Sequence, residues 1–316
     1  MNESQLWRTV ACLTFCGLSL GLPSTAGAAD GEIAVVSARV SEDYSHTRLP
    51  DGSFQSETYT FGEGGRMDGM MVDQSVTKLK FIDVARTIAP TLRNQGYLPG
   101  TDPSRTKLLL MVYWGMTEGV ADPSSSIAYQ SLSQASQRAS VAQAAMGSAK
   151  KMNASRDAKA AAQSAAQEDM DRANGEIDSA LLIASMENRQ RDRVNWKNAG
   201  VLGYDMELVA AKGKERTALE VRYRDLMDEL EDNRYFVVLM AYDFQLLTKE
   251  KKHKLLWETR YSIRQRGNDF AEQLAAMTLT ASRYFGRDSH GLARKPLPEG
   301  HVTLGELKVG EVVPDK

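Results

Sequence analysis

The alternation of hydrophobic and polar residues is most regular between Tyr235 and Gly286, where it predicts a strand, a charged turn, a second strand and a helix. The run from Tyr235 to Tyr242 is apolar throughout, which is typical of a strand buried on both faces. The charged turn at 248–253 separates this run from a second one, in which the two faces differ. This order predicts a β-hairpin with a helix packed against it.

The second strand, at 255–266, has one apolar face and one polar face. The apolar face carries Leu255, Trp257, Thr259, Tyr261 and Ile263. The polar face carries Glu258, Arg260, Arg264 and Arg266. The alternation predicts a sheet with one face on a core and the other face in water.

The helix that follows is predicted to begin after Asp269 and to end before Gly286. Asp269 and Glu272 have the spacing of a capping box, and glycine is the usual residue just past a helix end. Apolar residues recur at steps of four, three, four and four, and they form one stripe: Phe270, Leu274, Met277, Ala281 and Phe285. We expect this stripe to pack on the apolar face of the hairpin.

Patterns elsewhere in the chain predict strands at 33–40, 58–61 and 107–115, and helices at 80–94 and 214–232. Pro90 lies inside the first of these helices and predicts a kink or a break there. The glycine-rich segment 62–69 lacks the spacing of the dinucleotide-binding and P-loop fingerprints, so it predicts a plain flexible loop. After Gly286 the chain is expected to be loop-like, with an edge strand or a mobile tail at 301–313.

The segment from Ser124 to Arg193 differs in composition, because Ala, Ser and Gln dominate it and large apolar residues are scarce. Small residues recur there at steps of four and three in two registers, Ala128, Leu132, Ala135, Ala139, Ala142, Met146 and Ala149, then Ala162, Ala166, Met170, Ala173, Ile177, Ala180 and Ala184. A turn at 153–155 between them predicts a hairpin of two closely packed helices, a short coiled coil. The alternatives are a single long helix and a partly disordered segment.

Together these elements predict an α/β (α+β) fold. The expected architecture is a mostly antiparallel sheet with helices on one face, interrupted by a long Ala-rich helical hairpin. The predicted segments are a signal peptide at 1–28, the first half of the α/β domain at 29–123, the helical insertion at 124–193, the second half of the domain at 194–286 and a C-terminal tail at 287–316.

The first 28 residues have the pattern of a secretory signal peptide. Arg8 precedes an apolar run, and the small residues at 26–28 supply a cleavage site. Both cysteines, Cys12 and Cys16, lie in this segment, so we expect neither disulfides nor thiol chemistry in the mature chain. We expect an exported protein of the periplasm or the extracellular space, either soluble or peripherally attached to the envelope; the alternative is an uncleaved membrane anchor.

Composition excludes some classes of function. The chain has 316 residues, 42% of them hydrophobic and 25% charged, and its formal net charge is −2. A near-neutral charge argues against a nucleic-acid binder or a general binder of anionic membranes, because both rely on a basic surface. No segment of the predicted mature chain has an apolar run long enough to cross a bilayer.

The sequence contains none of the common catalytic or metal-binding motifs. It has no H-E-x-x-H, no G-x-S-x-G and no C-x-x-C, and its four histidines are scattered: His46, His253, His290 and His301. We read them as surface histidines. No catalytic, cofactor-binding or metal-ligating residue is predicted, and no cofactor.

Two charged groups remain as candidate sites. Arg260, Arg264 and Arg266 form a basic strip that could bind an anionic ligand, or could simply be a solvated face of the sheet. Acidic residues crowd the segment 225–232, and we read them as a solvated helix face rather than a cation site.

Two parts of the chain resemble a family of bacterial cell-envelope α/β domains of unknown function, many of them lipoproteins. The first runs from Tyr59-Thr-Phe61 through a helix ending in Leu92-Arg-Asn-Gln-Gly-Tyr97 to an apolar strand, and the second is Lys254-Leu-Leu-Trp-Glu258 followed by a capped helix. The resemblance implies a small α/β fold and no catalytic residues. This chain departs from the family in lacking a lipidation cysteine and in carrying the Ala-rich insertion.

The expected function is that of an exported, non-catalytic envelope protein. It would be a scaffold or interaction module whose insertion at 124–193 mediates self-association or contact with a protein partner. One alternative is an envelope hydrolase with its site on the loops at 62–69 and 123–126. The other is a binding module for an anionic ligand on the three arginines.

Overall fold

A computed structural model of the protein describes residues 32–69, 72–121, 123–212 and 217–298. The strands in these ranges are β1 (Ile33–Val40), β2 (Glu57–Met67), β3 (Tyr97–Pro99), β4 (Leu108–Met116), β5 (Arg234–Asp243), β6 (Leu255–Arg264) and β7 (Leu292–Pro296). The α-helices are α1 (Gln74–Thr77), α2 (Phe81–Asn94), α3 (Ile127–Lys151), α4 (Arg156–Leu202), α5 (Asp205–Ala211), α6 (Thr217–Glu231), α7 (Phe244–Glu250) and α8 (Phe270–Ser282), with a 3-10 turn at Pro123–Ser125. The predicted signal peptide, both cysteines and the predicted segment 301–313 lie outside the described residues.

The strands form one mixed sheet in the order β3-β2-β4-β5-β6-β1-β7. The expectation of a mostly antiparallel sheet is wrong, because β2 runs parallel to both of its neighbours, β3 and β4. Helix α2 lies between β2 and β3 in sequence, and a crossover of this kind returns the chain in the same direction. The other neighbouring strands in the sheet are antiparallel. The α/β class is confirmed.

Helices cover both faces of the sheet, so the expectation of helices on one face is also wrong. Side chains of β5 alternate between two cores: Tyr235 and Val237 pack with α2 and α8, whereas Phe236 and Val238 pack with α6 and the end of α4. The apolar run of β5 agrees with this three-layer arrangement. The polar residues of β6 suggested a face in water, but Glu258 is buried and Arg260 contacts the end of α4, whereas Arg264 is exposed.

The predicted stripe on α8 is confirmed. Its five residues, Phe270, Leu274, Met277, Ala281 and Phe285, are at most 1% exposed. The predicted helix end before Gly286 is wrong, because α8 ends at Ser282 and Phe285 lies just past it. The carboxylate of Asp269 accepts a hydrogen bond from the backbone N–H of Glu272 at 3.1 Å, as the capping pattern predicts. The stripe packs against the β5–β6 pair, and the aromatic rings of Trp257 and Phe285 stack with centroids 6.1 Å apart.

The glycine-rich segment is not a loop, since 62–67 belongs to β2. A Cβ on Gly64 would lie 2.6 Å from the ring of Tyr113 on the neighbouring strand β4, so the glycine makes room for that side chain. The pairing of β2 with β4 shifts register between Glu63 and Gly65, and Gly65 has a φ of +125°, which favours glycine. The glycines therefore serve the pairing of two strands.

The structure differs from the sequence predictions at three further elements, in α2, between β5 and β6, and after Gly286. Helix α2 does not break at Pro90, and buried Ile88 and Leu92 on either side fix it to the core. The short helix α7 precedes the charged loop between β5 and β6. The segment after Gly286 is not only loop, because β7 pairs with β1 as an edge strand.

The Ala-rich segment forms two helices, α3 and α4, and the turn at 152–155 joins them. The predicted hairpin is confirmed, and the alternatives of one long helix or a partly disordered segment are wrong. Helix α4 continues past the predicted boundary at Arg193 and ends at Leu202, before Gly203 with a φ of +80°. The second helix of the hairpin is therefore continuous with the α/β body.

Candidate functional site

The hairpin packs along a seam of alanines spaced seven residues apart. The buried ones are Ala128, Ala135, Ala142 and Ala149 on α3 and Ala166, Ala173 and Ala180 on α4, each at most 4% exposed. The residues midway between them in the predicted registers are half-buried. Small side chains at every contact let the two helices approach closely.

The hairpin is long for a structure packed by such small residues. Helix α3 has 25 residues, which is about 37 Å at 1.5 Å per residue. Its main packing partners among the described elements are α4 and the 3-10 turn before it. We call α3 and the part of α4 up to Glu187 the arm, because neither contributes a residue to the two cores that flank the sheet.

Polar contacts fix the base of the arm to the body. The side-chain amide of Asn198 donates hydrogen bonds to the backbone carbonyls of Glu118 at 2.7 Å and of Leu230 at 3.0 Å. Arg191 and Asn195 both donate to the carboxylate of Glu231, at 2.9 and 3.0 Å. Asn195 and Asn198 are at most 2% exposed, so these bonds are shielded from competing water. The direction of the arm is therefore set by the body.

The outer face of α4, turned away from the alanine seam, exposes large apolar side chains. Leu182 is 62% exposed and Met186 is 58% exposed, and Leu181 and Ile183 beside them are also exposed. Isolated apolar residues are common on surfaces, but four within six positions on one arm form a patch. This patch is the strongest candidate for a contact surface in the described residues.

A groove of about 520 Å³ lies at the base of the arm. Its apolar wall includes Val120, Ile127, Tyr129 and Leu132, and Ile127 is 73% exposed. Ser125 and Ser126, from the loop at 123–126 where we considered a hydrolase site, also line this groove. Ser126 in this loop caps α3, since its hydroxyl accepts a hydrogen bond from the N–H of Tyr129 at 3.0 Å.

The structure does not bring the three predicted arginines together as a free basic strip. Arg260 donates to the backbone carbonyl of Gly200 at 2.6 Å and pairs with the carboxylate of Glu258 at 2.8 Å, so it caps the end of α4. Arg264 pairs with Asp232 at 3.0 Å. Arg266 is exposed. Two of the three charges are thus already matched by carboxylates.

Several carboxylates of the acidic segment on α6 are also bound to other groups. Glu229 accepts hydrogen bonds from the hydroxyl of Tyr204 at 2.6 Å and from Arg294 at 2.9 Å. Glu231 binds the base of the arm, as described above. No group of three or more potential metal ligands occurs among the described residues. These carboxylates bind different partners: Glu231 binds α4, Asp232 binds Arg264 of β6, and Glu229 binds Arg294 of β7.

One polar cluster was missed by the sequence analysis. The ring of His46 stacks between those of Phe54 and Tyr97, with centroids 4.6 and 4.5 Å away, so His46 is not a simple surface histidine. The hydroxyl of Tyr44 donates to the carboxylate of Glu57 at 2.7 Å and lies 3.1 Å from the hydroxyl of Tyr97. These residues come from separate segments, and no local pattern connects them.

Burial determines the charge of this cluster. Desolvation raises the pKa of the Tyr44 and Tyr97 hydroxyls, so both are protonated at neutral pH. Desolvation also lowers the pKa of His46. Arg287 lies over the ring of Phe54 at 4.4 Å and donates to the side-chain oxygen of Gln95 at 2.7 Å. The cluster holds the loop after β1 against the segment that follows α8. It contains no activated nucleophile.

No protein-family model matches the chain, and no curated protein matches it. In the described part of the chain, no helix is both long enough and apolar enough to cross a membrane.

Proposed function

We propose that the chain is an exported, non-catalytic protein of the bacterial cell envelope that works by holding its helical arm against a protein partner. The observation that carries this proposal is the exposed apolar patch on the outer face of α4. The two helices of the arm pack on each other through the alanine seam. Leucine and methionine on the opposite face of α4 do not contribute to that packing, so they need another explanation. Burial against a partner is the usual role of such a patch.

The anchored base supports the same proposal. Asn195, Asn198 and Arg191 hold the arm to the body, which reduces the entropy lost when a partner binds. Export is supported by the signal-peptide pattern at 1–28. The proposal of a role in the envelope is also supported by the resemblance of two parts of the chain to envelope α/β domains.

The geometry favours neither alternative function. The proposed hydrolase site needed a mobile loop at 62–69, and this segment is mostly strand β2. The proposed anion site needed free arginines, and Arg260 and Arg264 are paired with Glu258 and Asp232.

In-cell crosslinking with affinity recovery tests the proposal. The full chain is compared with the double variant Leu182→Asp, Met186→Asp, which should lose its specific neighbours because charges replace the apolar patch. The matched control is Ser133→Asp, Gln137→Asp, which places the same charges on exposed positions of α3. Circular dichroism should show equal helix content in all three proteins. Recovery of the same neighbours by all three would contradict the proposal.

A further inference from the structure

The outer face of α4 carries a second periodic stripe, opposite the alanine seam. Its members follow one another at steps of three and four, and all are exposed: Glu168, Asp171, Gly175, Asp178, Leu182, Met186, Arg189 and Arg193. Such spacing places them along one side of the helix. The stripe begins with acids, continues with two apolar residues and ends with arginines.

This order makes the stripe complementary to itself when two copies run in opposite directions. If Leu182 lies opposite Met186 of a second copy, the same register places Gly175 opposite Arg193, and it places Asp178 opposite Gln190, directly beside Arg189. Each contact then occurs twice about a two-fold axis, which is the usual symmetry of homodimers. A parallel register would instead place Asp178 against Asp178 and Arg189 against Arg189, which is unfavourable.

The charged members of the stripe are available for such contacts. Within the described residues, Asp178, Arg189 and Arg193 take part in no ion pair or side-chain hydrogen bond. Asp171 accepts a single hydrogen bond, at 2.8 Å, from the side-chain amide of Gln167. Other charges on the arm, such as Arg138 and Glu176, are paired with each other at 2.5 Å.

We infer that the partner of the arm is a second copy of this chain, bound antiparallel along the outer faces of the two α4 helices. The inference rests on the proposed function and identifies its partner. Leu182 and Met186 form the centre of the interface, and Asp178 with Arg189 on either side sets the direction and the register. The opposite charges select the antiparallel register over the parallel one.

Disulfide trapping tests the direction. In a full chain carrying Cys12→Ser and Cys16→Ser, one protein carries Asp178→Cys and another Arg189→Cys. A mixture should give a crosslinked dimer of the two proteins under mild oxidation, and each protein alone should give much less, because a disulfide needs Cβ atoms about 4 Å apart. Ser133→Cys on α3 is the control for random collision. Efficient crosslinking of each protein with itself, or none above the control, would overturn the inference.

Charge exchange tests the contacts without cysteines. Asp178→Arg or Arg189→Asp alone should weaken the dimer roughly tenfold or more, as measured by sedimentation across a range of concentrations. The chain that carries both substitutions regains opposite charges at each position, so its dimer should recover. Failure of the double variant to recover would count against the register.

The two proposals fail in distinguishable ways. If the chain is monomeric but Leu182→Asp, Met186→Asp still loses its neighbours in cells, the arm binds a different protein; the proposed function then stands and the second copy is wrong. If the chain is monomeric and no variant changes its neighbours, both are wrong.

Discussion

The body and the arm are packed in opposite ways. The body buries large side chains, including Trp114, Trp257, Phe270 and Phe285, at no more than 2% exposure. The arm buries chiefly alanine. Full burial of a large apolar side chain contributes about 1.5–3 kcal/mol, whereas a single methylene group contributes about 0.8 kcal/mol. The body therefore depends on its core, and the arm depends on helix propensity and close contact.

This difference separates stability from recognition within one chain. A substitution in the body core should unfold the protein, whereas a substitution in the seam should loosen only the arm. A substitution on the outer face of α4 should change neither. Three substitutions, in decreasing order of expected destabilisation, test this division.

Trp257→Ala should destabilise the whole protein by about 3–5 kcal/mol, because it leaves a cavity beneath Tyr97 and Phe285, whose rings lie 5.5 and 6.1 Å from the indole. Chemical denaturation measures this change. Trp257→Phe is the control and should cost much less, because within the described residues the buried indole Nε1 has no hydrogen-bond partner to lose. A loss below about 1 kcal/mol for the alanine variant would contradict this account of the core.

Ala173→Leu should destabilise the arm by about 1–3 kcal/mol and leave the body unchanged, because the larger side chain cannot fit between the two helices. Hydrogen exchange measures this locally: amides of α3 and α4 should exchange faster, and those of β4 and β5 at their original rates. Ala161→Leu is the matched control, since Ala161 is exposed. Equal effects of the two substitutions would show that the seam is not tightly packed.

His46 should give the smallest effect, one limited to acidic pH. Burial lowers the pKa of the folded protein's His46, so below about pH 6.5 the unfolded chain binds a proton that the folded protein resists. The stability linked to His46 is therefore present at higher pH and is lost as the pH falls. His46→Phe keeps an aromatic ring and removes the titration, so its free energy of unfolding should fall less steeply below pH 6.5. Parallel profiles at all pH values would contradict this prediction.

Sequence patterns over a few residues were sufficient to predict which side of each helix is buried. The stripe of α8 and the alanine seam were both predicted residue by residue, because periodicity at steps of three and four reports directly which side is buried. A turn at 153–155 was predicted because it lies between the two registers, and the structure places the turn at 152–155.

Contacts between distant segments were not predictable in this way. Arg260 was expected in water, yet its acceptor is the carbonyl of Gly200, and nothing in the sequence near Arg260 reports that α4 ends there. Gly64 suggested a loop because its reason for being glycine is Tyr113 on another strand. The cluster around His46 is assembled from the loop after β1, the edge of the sheet and the end of α8, so it had no signal at all.

The base of the arm also has a consequence for how the chain folds. The central strands β4 and β5 meet where Thr117 and Arg234 pair across 117 positions, and closing so long a loop carries an entropic cost that grows with the logarithm of its length. The hairpin is local and should form early. Once formed, Asn198 can bond Glu118, 80 positions back, and Leu230, only 32 positions ahead. The arm thus shortens the search that joins the two halves of the sheet, so slowing its formation should slow the pairing of β4 with β5.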